Sequence, residues 1–121
     1  MNNVFLYAAR DTSTYRQVEE YLTRVLFNGS LIILPPGTQF TSPACLELRS
    51  NDVIILFAEN DDDINALLSL NDEYESFRII VIVKSDILID TNRLILLSPR
   101  MIAYSDKNIN DVDKYLENIF R

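Results

Sequence analysis

The sequence predicts a three-layer α/β domain built on a five-stranded parallel sheet, and three observations predict it. The first is a set of five short, near-continuous apolar runs: Val4 to Ala8, Leu31 to Leu34, Val53 to Ala58, Ile79 to Val83 and Met101 to Tyr104. Strands covered by helices on both faces read this way, whereas half-exposed antiparallel strands alternate polar and apolar residues. The second is the stretches between the runs, in which apolar residues recur at helical spacing. The third is length: 121 residues make a single domain spanning 1–121, large enough to bury a core.

The elements follow in order. Behind the first strand, Thr14 and Gln17 form a capping-box pattern, and Tyr15, Val18, Leu22, Val25 and Leu26 mark the buried side of a helix that Asn28-Gly29 ends. After the second strand, Pro35-Pro36-Gly37-Thr38 reads as a rigid turn. Ser42-Pro43 then places a capping hydroxyl before a proline and predicts a short second helix to Arg49. Cys45 lies in its apolar stretch and reads as a buried thiol. After the third strand, Asn60 to Asp63 opens a helix with acids that complement the positive end of its dipole, and Ile64, Leu67 and Leu68 form its inner face. The final helix runs from Asp111 to Phe120, with Val112, Leu116, Ile119 and Phe120 on one side. The fourth connection, Ser85 to Ser98, is too apolar all round for a surface helix; it reads in part as a short strand or irregular turn, ended by Pro99. Right-handed crossovers then favour the flavodoxin-like (βα)5 arrangement, with strand order 2-1-3-4-5.

Composition narrows the chemistry. Eleven Lys and Arg against 18 Asp and Glu give a net charge of −7, which repels phosphate backbones and favours basic partners, so nucleic acid is not an expected ligand. Without histidine, the chain lacks Ser-His and Cys-His nucleophile mechanisms and the commonest zinc ligand. Two glycines are too few for a Walker loop or a dinucleotide fingerprint. No run approaches the ~18–20 apolar residues of a membrane span, the N-terminus lacks a signal-peptide pattern, and one cysteine forms no internal disulfide. The expected location is cytoplasmic, with no membrane association.

In open parallel sheets, ligands collect at the carboxyl ends of the strands, around the point where the strand order reverses. That rule makes Arg10, Asp11, Glu59, Lys84, Ser85 and Lys107 the candidate switch-point pocket. Arg10 and Lys84 have two readings: a joint anion site, or ion pairs with Asp11, Glu59 or Asp86. Asp61 and Asp63 are candidates for a hard cation such as Mg²⁺, set against the simpler reading of acids at a helix start. Leu94, Leu96 and Tyr104 form a candidate interaction face, the other reading being burial in the core.

At this point the chain resembles a response-regulator receiver domain, in its length, its five βα units and Asn51-Asp52-Val53-Ile54-Ile55-Leu56, which is similar to the family's third strand. The family's Mg²⁺-binding acids after strand 1 fall on Ala8-Ala9, and its phospho-accepting aspartate falls on Phe57. Ser85 matches the hydroxyl residue after strand 4 and Lys107 the lysine after strand 5. The resemblance implies a degenerate, pseudo-receiver-like domain. A second resemblance, carried by Pro36-Gly37-Thr38, Ser50-Asn51-Asp52 and Val4-Phe5-Leu6-Tyr7, is to Toll/interleukin-receptor-like (TIR) domains; their NAD-cleaving members use a glutamate after strand 3, where this chain has aspartates. The expectation is a non-catalytic signalling or regulatory domain without cofactor, acting through protein-protein interaction with a partner and with a second copy of itself. The alternatives are a Mg²⁺-dependent phospho-accepting receiver or a TIR-like NAD-cleaving enzyme.

Overall fold

The computed structural model describes residues 4–25, 31–34, 53–69, 78–84 and 91–119. The predicted Asn28-Gly29 stop, the Pro35 to Thr38 turn, the short helix carrying Cys45, and Ser85, Asp86 and Phe120 lie outside the described residues.

The described elements are β1 (Val4–Ala8), α1 (Ser13–Val25), β2 (Leu31–Ile33), β3 (Val53–Ala58), α2 (Asp61–Leu68), β4 (Arg78–Val83), α3 (Thr91–Leu94), a 3₁₀ turn (Ile95–Leu97), β5 (Met101–Tyr104) and α4 (Asn110–Ile119). The strands form one parallel sheet in the order β2-β1-β3-β4-β5, as the hydrophobic rhythm predicts. Register runs from Val4↔Val53 to Ala8↔Phe57 between β1 and β3, and Leu34 extends the β1–β2 ladder by donating to the Leu6 carbonyl at 3.0 Å.

Both faces of the sheet are buried, which is why the strands are apolar without alternation. Val4, Leu6, Val53, Ile55, Phe57, Ile80 and Ile82 pack under Tyr15, Val18 and Leu22 of α1 and Val112 and Leu116 of α4. Phe5, Tyr7, Ile54, Leu56, Ile79, Val81 and Val83 face the other way, onto Ile64 and Leu67 of α2 and Leu94 and Leu97. Each fully buried side chain of this size contributes about 1.5–3 kcal/mol of transfer free energy. Among the described residues no helix is long and apolar enough to cross a membrane.

Two local expectations change. The cap of α1 is Thr12, not Thr14: the Thr12 hydroxyl accepts from the Tyr15 amide at 3.1 Å and its carbonyl from the Arg16 amide at 3.0 Å. The Thr14-Gln17 box is therefore out of frame by two residues. In the fourth connection, residues 91–97 form a helical turn continued as 3₁₀, not a strand. Its i,i+3 spacing buries Leu94 and Leu97 and turns Ile95 and Leu96 outward. The segment does end at Ser98, but in the left-handed region at φ 52°, a conformation that costs an L-residue roughly 1–2 kcal/mol.

Candidate functional site

The carboxyl edge of the sheet brings three loops together through charge. Arg10, in the turn leaving β1, holds Asp63 of α2 bidentately, with Nε to Oδ1 at 2.7 Å and Nη2 to Oδ2 at 3.1 Å. The Asp63 side chain is only 6% exposed, and its Oδ2 also accepts from the Glu59 amide at 2.9 Å. The Asp63 amide in turn donates to Oδ1 of Asn60, the α2 cap, at 3.0 Å. Asp63 is thus a structural carboxylate, placed by its cap and neutralised from across the switch point.

Glu59 makes the second link. Its carboxylate meets Lys84 Nζ, at the end of β4, at 3.2 Å, and accepts hydrogen bonds from the Thr12 and Thr14 side chains. Burial pushes the Glu59 carboxyl upward, but the hydrogen bonds from Thr12, Lys84 and Thr14, with the Lys84 charge, outweigh it and hold the group below its ordinary range. Asp11 points away from this cluster and pairs with Arg16 on the exposed side of α1 at 2.9 Å, a hydrogen bond that lowers its carboxyl. Lys107 lies 5.7 Å from the Tyr104 ring centroid.

Of the predicted pocket residues, Arg10, Glu59 and Lys84 are therefore gathered at the switch point, while Asp11 and Lys107 are engaged elsewhere. The pairing of Lys84 with Glu59 is among the expected ones. Arg10 departs from expectation by choosing Asp63 over adjacent Asp11.

Phe57, near the carboxyl end of β3, is 2% exposed and packs beside Tyr15, ring centroids 6.1 Å apart. Ala8 is equally buried. Asp61 and Asp62 are exposed on the outer turn of α2, and among the described residues no three acidic or cysteine side chains are grouped to hold a metal ion.

No family model, curated protein or solved structure matches this chain.

The predicted interaction face is corrected at one position. Leu94 is fully buried beneath the sheet and presents nothing to a partner, because helical spacing sets it beside Leu97 in the core. Leu96, at 62% exposure, does face outward, and so does Ile95 at 64%, which the sequence reading did not single out. Tyr104 is half-buried.

A further feature escaped the sequence. The Tyr21 hydroxyl donates to Asp113 Oδ2, linking α1 to α4 across 92 positions. No local pattern announces such a pair. Burial, the hydrogen bond to Asp113 and the Asp113 charge together raise the Tyr21 hydroxyl to about 12.

Proposed function

We propose that this chain is a non-catalytic, receiver-like regulatory domain that acts by binding a protein partner. The observation that carries the reading is the state of the switch point. The place where a receiver keeps its acidic residues and accepts a phosphoryl group is here lined by Ala8 and buried Phe57, and the charges around it are paired with one another, Arg10 with Asp63 and Lys84 with Glu59. A phosphoryl donor finds no carboxylate on the last residues of β3, Phe57 and Ala58, and breaking the Arg10–Asp63 pair to free one beside them would leave a buried charge uncompensated. Exposed Ile95 and Leu96, adjacent on one turn, are the apolar surface offered to the partner or to a second copy of the chain.

The test is incubation with acetyl phosphate and Mg²⁺, read by intact mass and thermal shift. The expected result is neither a mass gain nor a Mg²⁺-dependent shift. Stoichiometric aspartyl phosphate would make the protein a phospho-accepting receiver instead, and nicotinamide release from NAD would make it a TIR-like enzyme.

A further inference from the structure

A shallow cavity of about 210 Å³ lies between the first turns of α1 and the loop that joins β5 to α4, lined by Thr14, Gln17, Val18, Tyr21, Ser105 and Ile109. Its hydroxyl protons are all committed elsewhere. Thr14 donates to Glu59, Tyr21 to Asp113, and Ser105 to the Lys84 carbonyl at 3.2 Å. A hydroxyl has one proton and two lone pairs, so these three groups have only acceptors left to offer. Val18 and Ile109 add an apolar floor. Gln17, whose amide carries both N–H donors and a carbonyl acceptor, is the one polar group of the lining not limited to accepting, so the cavity favours a donor with an aliphatic stem.

Charge selects among such donors. Behind Tyr21, the second carboxylate oxygen of Asp113, Oδ1, is buried with no hydrogen-bond partner, and no cation among the described residues forms a salt bridge with this carboxylate. Two contributions oppose this carboxylate, which lies behind the lining residues. The helix N-termini nearby each carry roughly half a positive charge, and that of α4 already faces Asp111 and Asp113 in its first turn. Arg24 lies 5.7 Å from the Tyr21 ring centroid, on an exposed side chain where solvent screens it.

We infer that this cavity binds an alkylammonium group, supplied by a lysine side chain of the protein partner, with its methylenes on Val18 and Ile109 and its three N–H donors on the acceptors of Thr14, Tyr21 and Ser105. The inference rests on the proposal that the domain works by binding a protein, and it names the chemistry of that partner. An acidic chain of net charge −7 attracts a basic partner at long range, and the cavity gives that attraction a fixed point of contact.

The test is a titration of the whole chain followed by backbone amide NMR, with n-butylammonium chloride, n-butanol, sodium chloride at matched ionic strength, and a blocked lysine tripeptide as probes. Butylammonium and the tripeptide are expected to move the amides of Gln17, Tyr21, Ser105 and Ile109, while butanol and sodium chloride leave them in place. Asp113→Asn, which keeps an acceptor for Tyr21 but removes the charge, is expected to weaken both ligands about tenfold. Ser105→Ala, at a partly exposed loop position, is expected to weaken them about threefold and retains the test if the first variant does not fold. An equal response to butanol, shifts scattered over the surface, undiminished binding by the folded variants, or binding of the free amine without the tripeptide would each overturn the inference. The outcome is separable from the acetyl phosphate experiment: an aspartyl phosphate removes the non-catalytic reading, whereas a failed titration with no phosphorylation removes only the lysine site.

Discussion

Tyr15 carries an energetic cost into the core. It is 1% exposed, its ring tilted against that of Phe57, yet its hydroxyl is buried without a hydrogen-bond partner, and burial, with the charges of Glu19 and Asp11, raises the phenol to about 12. An unsatisfied buried hydroxyl loses its water without compensation, at a cost of about 1–3 kcal/mol. Tyr15→Phe keeps the ring and removes the cost, so it is expected to stabilise the fold by about 1 kcal/mol, read as a higher urea midpoint at unchanged slope. At this scale the sequence was least informative. Arg10 stands beside Asp11, but neighbouring side chains along a chain point in different directions, and the acid that Arg10 reaches is 53 positions away. Thr12 and Thr14 are equivalent as capping residues on paper; the Glu59 carboxylate engages both side chains, while only Thr12 caps the backbone.

The elements were far more legible, because burial on both faces writes itself into composition. Every residue of β1 and β3 is buried, so each appears in the sequence as an uninterrupted apolar run. The fourth connection resisted for the opposite reason. Its described apolar residues serve two ends, Leu94 and Leu97 the core and Ile95 and Leu96 the surface, and composition alone does not divide them. Substitution does. Leu94→Ala is expected to destabilise by about 2–5 kcal/mol through the cavity it leaves. Leu96→Glu is expected to stay within about 0.5 kcal/mol of the parent in chemical denaturation while abolishing self-association or partner capture in size-exclusion and pull-down measurements. A large loss of stability in Leu96→Glu would place that side chain in the core after all.

For the molecule as a whole, titration is governed by what is missing from the chain and by what is buried in the fold. With no histidine in the sequence, stability is expected to be flat between about pH 6 and 7.5, below the range in which the Cys45 thiol titrates. Tyr15 and Tyr21 are each raised from 10.0 to about 12. A raised value means that the folded chain holds protons the unfolded chain has released, so this contribution is complete below pH 10 and is lost as pH climbs through 12. Glu59 runs the other way. Its lowered carboxyl stabilises the fold above the ordinary value of 4.5 and ceases to do so as pH falls through the folded value. Urea midpoints across pH are the check: the alkaline fall is expected to begin near 10 and to shrink in Tyr15→Phe.

The register of the central strands has a consequence in time as well as in energy. Val4 of β1 pairs with Val53 of β3, and everything between them in the chain, including the edge strand β2, must be looped out before the first rung of the sheet's centre can form. In a parallel sheet no tight hairpin nucleates a pair, and ordering the chain has to precede the contacts that reward it. Pairing β1 with β3 therefore carries a larger closure cost than pairing β3 with β4, whose register starts at Val53↔Arg78, and substitutions in β1 are expected to change the folding rate less than those in β3 and β4 if the shorter loop closes first.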